Sequence, residues 1–148
     1  LQKYYYGYDE FKDDVKKLEQ LIKPFGADTF VAVARGGLTL GHFLAHNLDT
    51  RRLYIINSIH YEKQTKLDSF EIFNIPNLQE AKKVILLDDI IDSGETMEQL
   101  IKLLHQKYPQ IELKVATLFY KPTAKVKPDF TLKQAHSWIE FFWEVDTA

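Results

Sequence analysis

Between Val84 and Met97 the chain reads VILLDDIIDSGETM, and residue types with obvious chemistry crowd into it. An apolar run ends in paired carboxylates, Asp88 and Asp89. Asp92, Ser93, Gly94, Glu95 and Thr96 then form a tight turn before helical spacing resumes. A strand, a small-residue loop and a helix start, in that order, aim backbone N–H groups at one point, and the helix dipole favours an anion there. A phosphate would rest on the N–H groups of Ser93 to Thr96, with the Ser93 and Thr96 hydroxyls as further donors. Asp88 and Asp89 would accept hydrogen bonds from sugar hydroxyls or help hold a divalent cation. Asp92, on the turn itself, would reach a reacting centre; as a helix cap it would be structural only. The loop suits a molecule carrying both hydroxyls and a phosphate.

Two other places carry similar promise. Arg35-Gly36-Gly37 follows the short apolar run TFVAVA, Thr29 to Ala34, where a strand turns into the helix Leu38 to Leu48. Those glycines serve either the turn's own geometry or the close approach of a ligand. Lys121-Pro122 leaves the run LKVATLFY abruptly, placing a lysine at a strand's C-terminal end. In the tail SWIEFFWEVD, packing accounts for Phe141, Phe142 and Trp143, whereas Trp138 would offer a flat face to a flat ligand.

The elements that must position these residues follow from periodicity. Phe11, Val15, Leu18, Leu21 and Ile22 recur at helical spacing from Asp9, an expected N-cap, to a stop at Pro24 and Gly26. Tyr4, Tyr5, Tyr6 and Tyr8 before it read as a packed or partner-covered N-terminal strand. Leu53 to Ile59 and Leu113 to Tyr120 are further strands, and Met97 to Tyr108 is a helix ended by Pro109. Between His60 and Gln79 the pattern weakens to a loop with a hairpin-like strand, either a lid or a solvated connector. Strands alternating with helices predict an α/β sheet covered on both faces, with ligands at the carboxyl ends of the strands. The loops after Ala34, Asp89 and Tyr120 all fall at that edge.

At 148 residues one domain is expected. Hydrophobic residues at 45% and charged residues at 27% are ordinary globular values, and a net charge of −2 argues against a nucleic-acid partner. Cysteine is absent, which excludes disulfides and thiolate catalysis and fits the cytoplasm. No apolar run approaches the length of a membrane span, and the stretch LQKYYYGYDE lacks the apolar h-region of a signal peptide.

VILLDDIIDSGET resembles the phosphoribosyl-pyrophosphate signature of the type I phosphoribosyltransferases, and VARGG at Val33 to Gly37 resembles their pyrophosphate loop. Lys121-Pro122 with SWIEFFWE is similar to the purine end of the bacterial xanthine-guanine and hypoxanthine-guanine enzymes. The resemblance implies a twisted, mostly parallel sheet (core roughly 28–122) with a hood from residues 123–148 and the N-terminal segment. It implies transfer of a phosphoribosyl group to a 6-oxopurine with Mg²⁺ as cofactor, in a homodimer or tetramer.

By the same resemblance Asp88 and Asp89 address the ribose hydroxyls and magnesium. Asp92 is the general acid/base toward the purine imidazole nitrogen, and Ser93, Gly94, Glu95 and Thr96 cradle the 5′-phosphate. Arg35 and Gly36 bind pyrophosphate across a peptide that is cis in such enzymes. Lys121 donates to O6, Trp138 stacks, the Ile139 carbonyl accepts from a 2-amino group, and Glu144 stands where the family has Asp near a second metal. The family's Ser-Tyr pair in the mobile loop is absent, since Ser58 precedes Ile59 and the next tyrosine is Tyr61; Lys63, Thr65 and Lys66 do not match its basic residues. A regulatory module that senses phosphoribosyl pyrophosphate is the alternative, and an orotate or adenine enzyme a third reading. A lysine donor would meet adenine's 6-amino group donor against donor.

Overall fold

The computed structural model describes residues 2–61 and 69–147. In chain order the elements are β1 (Lys3–Tyr6), α1 (Tyr8–Ile22), β2 (Thr29–Ala34), α2 (Leu38–Asn47), β3 (Leu53–Tyr61) and β4 (Ser69–Phe73). β5 (Lys83–Ile91), α3 (Glu95–Lys107), β6 (Glu112–Tyr120), β7 (Lys133–Gln134) and β8 (Trp138–Phe141) complete them. Six strands form one sheet in the order β4-β3-β2-β5-β6-β7, parallel throughout except for the antiparallel β3–β4 hairpin. The fold is α/β, as the alternation of patterns predicts. Lys63, Thr65 and Lys66 lie outside the described residues, as does most of the expected lid.

β2 and β5 are buried on both faces, which is why they read as continuous apolar runs rather than alternating ones. On one face Phe11, Val15, Leu18 and Ile22 of α1 and Leu40 and Leu44 of α2 pack on Phe30, Ile85, Leu87 and Leu118. On the other, Met97, Leu100 and Leu104 of α3 cover Val31, Val33, Leu86 and Val115. Truncating one of the fully buried leucines, such as Leu86, would cost about 2–5 kcal/mol. None of the helices among the described residues is long and apolar enough to cross a membrane.

A second, two-stranded sheet joins β1 to β8 in parallel, with Tyr6 beside Phe141. Tyr6 is fully buried; its hydroxyl donates to Asp14 at 2.7 Å, and Lys133 ion-pairs with Asp14 at 2.9 Å and with Glu10. This small sheet is the hood. Lys133 and Gln134 belong to the main sheet instead, because β7 pairs in register with Phe119 and Tyr120.

Candidate active site

The βα connection after β5 is anchored from two sides. Gly94 takes a left-handed φ of 85°, and a Cβ there would lie 2.7 Å from the Val126 nitrogen, so only glycine lets the turn at 124–126 pack on the loop. The Lys125 N–H donates to the Ser93 carbonyl at 2.8 Å, which fixes the two loops to each other. The first-turn N–H groups of α3 then face a cavity of about 380 Å³ lined by Asp88, Asp89 and Asp92 to Met97, with Gly36, Ser58 and His60 opposite. An oriented donor set at a helix start is what a phosphate requires.

The glycine loop after β2 closes this cavity from the side. A Cβ on Gly36 would sit 2.7 Å from Asp89 Oδ2, so the bare backbone there is the space the carboxylate occupies. The Ala34–Arg35 peptide is cis, one residue before the Arg35–Gly36 bond expected from the resemblance. Arg35, Gly36, Trp143 and Glu144 line a neighbouring cleft, so the C-terminal segment reaches the expected pyrophosphate loop.

Asp89 is 7% exposed and Asp88 half-buried. Burial first, then the neighbouring Asp89 charge, holds Asp88 well above the usual carboxylate range. Burial also raises Asp89, with the Glu144 charge adding to it and contacts from Asp88, the Ile90 N–H and Trp143 opposing it. Two adjacent carboxyls held in this way call for a proton or a cation between them. Their hard oxygen donors suit magnesium, which takes one or two carboxylates and completes its shell from substrate oxygens and water. Glu144 adds charge near Asp89, yet no cluster of three or more such ligands exists among the described residues.

A second cavity, about 440 Å³, opens on the other side of Asp89, Ile90 and Asp92. Lys121, Ser137, Trp138, Ile139 and Glu144 line it. Trp138 is 62% exposed and offers its ring to this space, whereas Phe141 is buried and stacks on Trp143, ring centroids 4.7 Å apart. The structure thus sets the site residues expected from the sequence around two chambers that share Asp89, Ile90 and Asp92, except Arg35, which lines the adjoining cleft.

A match to the phosphoribosyl transferase domain model spans residues 7–148. The chain belongs to the phosphoribosyltransferase family. This phosphoribosyltransferase is 25% identical over 156 residues to a xanthine-guanine phosphoribosyltransferase of Ruegeria sp. (strain TM1040), covering 96% of this chain and 85% of that protein. Its fold is similar to the Helicobacter pylori xanthine-guanine-hypoxanthine phosphoribosyltransferase, with a TM-score of 0.89 and 39% identity over 97% of this chain and 95% of that one. A purine phosphoribosyltransferase from Pyrococcus horikoshii superposes with a TM-score of 0.86 and 29% identity, covering 100% and 97% of the two chains.

Sequence reasoning missed two site groups. Ser58 Oγ is buried without a hydrogen-bond partner among the described residues, Trp143 Nε1 is buried beside Asp89, and both residues border the cavities. Nothing in local periodicity marks either one. The weakening pattern marks His60 only as the start of a loop, yet its Nε2 lies 3.7 Å from Glu95 Oε2.

Proposed function

We propose that this phosphoribosyltransferase serves purine salvage, transferring the 5-phosphoribosyl group from phosphoribosyl pyrophosphate to a 6-oxopurine and releasing pyrophosphate. The observation that carries the reading is the position of Asp92, on the wall between a phosphate-cradling chamber and an aromatic one. Sugar diphosphate and flat base would meet there.

The purine's O6 and N7 lie side by side on one edge of the ring. Lys121 Nζ and Asp92 Oδ1, 2.7 Å apart, are spaced to engage those two atoms, a donor for O6 and a carboxylate for the imidazole nitrogen. Trp138 stacks on the ring and the Ile139 carbonyl accepts from a 2-amino group. Ser93, Gly94, Glu95 and Thr96 hold the 5′-phosphate, while Arg35 and Gly36 address pyrophosphate.

In the reaction the bond from the anomeric carbon to the pyrophosphate oxygen breaks, and a purine nitrogen forms the new bond to that carbon. Asp92 takes up the proton the purine gives off. Positive charge on the ribose ring develops beside the carboxylates of Asp88 and Asp89, and the glycine loop's N–H groups meet the negative charge on the leaving group. Bound at Asp88 and Asp89, with Glu144 nearby, magnesium would neutralise charge on the diphosphate. The exposed Tyr4, Tyr5 and Tyr8 support a homodimer or tetramer, and the cysteine-free composition supports a cytoplasmic setting.

The deciding experiment supplies magnesium, phosphoribosyl pyrophosphate and one base at a time. Guanine, xanthine or hypoxanthine should be consumed, with adenine and orotate left largely untouched. Binding of the sugar diphosphate without turnover of any oxopurine would sink the enzyme reading in favour of a sensor.

A further inference from the structure

A carboxylate inside a phosphate cradle is chemically odd, since it repels the ligand the loop is built to hold. Glu95 is such a residue: it is the first residue of α3 and lines the same cavity as Ser93 and Thr96. Its two oxygens are approached by a lysine and a histidine from separate parts of the fold. Lys125 Nζ lies 3.3 Å from Oε1, and His60 Nε2 lies 3.7 Å from Oε2.

Both side chains are held from elsewhere. The Lys125 backbone is tied to the Ser93 carbonyl, and the adjoining turn is packed on Gly94. His60, at the end of β3, stacks face to face on Phe70 of β4, with centroids 4.5 Å apart and planes 11° from parallel. Lys125 and His60 would therefore stay near the cradle if Glu95 let go of them. The Lys125 contact is also cheap to break, because its side chain is 55% exposed and exposed ion pairs contribute little.

We propose that Glu95 is an internal stand-in for the substrate's 5′-phosphate, and that Lys125 and His60 are phosphate-binding residues which the incoming dianion takes over from it. The proposal rests on the phosphoribosyl reading above and adds two ligand contacts and a competitor to it. Glu95 keeps the two side chains gathered at the rim, and its own charge weakens the hold on a phosphorylated product, so the nucleotide leaves more readily.

The test compares guanosine 5′-monophosphate with guanosine by calorimetry, on wild type and single and double variants. Glu95→Gln should tighten the monophosphate roughly fivefold or more, leaving guanosine unchanged, and should slow product release. Lys125→Met, and His60→Phe, which keeps the stack, should each weaken the monophosphate roughly fivefold. In the Glu95→Gln background Lys125→Met should cost more than it does alone, because the competitor is gone. Equal monophosphate affinity in wild type and Glu95→Gln would overturn the proposal, as would Lys125→Met and His60→Phe that change only the melting temperature. If wild type binds neither compound, the phosphoribosyl reading itself falls, and that outcome is distinct from the first two.

Discussion

Lys121 Nζ lies 2.7 Å from Asp92 Oδ1, across the seam where the two chambers meet. The side chains are 42% and 64% exposed, so the contact contributes little to stability. Its importance is positional. Asp92→Asn keeps the shape and removes the charge that accepts a proton, so kcat should fall by about 10²–10⁴. Binding of phosphoribosyl pyrophosphate, followed by calorimetry, should change far less. Equal losses in turnover and binding would remove the acid–base role and leave Asp92 a binding group only, since α3 is capped by Gly94 without a side-chain hydrogen bond.

Trp138 is mostly open to solvent, and removing it leaves no cavity in the core. Trp138→Ala should raise the purine KM by roughly 5- to 100-fold, the range expected for loss of a stacking platform. Unfolding free energy should stay within about 0.5 kcal/mol of wild type. Steady-state kinetics with varied base, beside a urea titration, separates the two effects. An unchanged purine KM would place the base elsewhere.

Gly36 is the opposite kind of position. An added methyl would arrive 2.7 Å from the Asp89 carboxylate, which is buried and has little room to retreat. Gly36→Ala should therefore cost about 1–3 kcal/mol of stability. It should also lower kcat/KM by roughly 10²-fold, through displacement of Asp89 and of the loop's N–H groups. A variant as active and stable as wild type would show that the loop yields easily.

The cluster of buried Tyr6 and Asp14 with half-buried Lys133 predicts an alkaline limit to stability. Burial first, then the hydrogen bond to Asp14, pushes the Tyr6 phenol far up. Burial pulls Lys133 down, but Glu10 and Asp14 outweigh it and leave the ammonium above its usual range. Both groups hold their protons more tightly folded than unfolded. Their contribution is complete below about pH 10 and is lost as pH rises from there toward the higher folded values. For the fully buried Tyr6 the loss approaches ~1.4 kcal/mol per pH unit. Denaturant unfolding from about pH 8 to 11.5 should show a shallower decline for Tyr6→Phe than for wild type. Parallel curves would mean the phenol titrates normally.

Much of the site was legible because its cues are local. The carboxylate pair, the small-residue turn and the helix start of 84–97 lie next to one another in sequence, and β2 spans the expected Thr29–Ala34. Ends were less clear. Asp9 is not the N-cap: α1 begins at Tyr8 behind Gly7, leaving Asp9 and Glu10 in its first turn, where acids favour the dipole. The helix expected from Met97 starts at Glu95, and β3 runs two residues past Ile59 because its antiparallel pairing with β4 extends it to Tyr61. Long-range partners left no local trace. Asp14 looks like a surface acid on an amphipathic helix until Tyr6 and Lys133 reach it from distant segments. Glu95 likewise shows its meaning only when Lys125 and His60 converge on it.

The parallel pairing of β1 with β8 sets an order on assembly. Lys3 to Tyr6 are made long before their partners, Trp138 to Phe141. During synthesis the sheet from β2 to β6, with its phosphate cradle, can close while the hood still lacks one strand. The half proposed to hold a sugar phosphate is therefore expected to mature before the half proposed to hold a base. Arrested ribosome-bound chains would reveal this as protection of β5 from proteases ahead of β1. The pairing leaves the chamber beside Trp138 incomplete until β8 has been made.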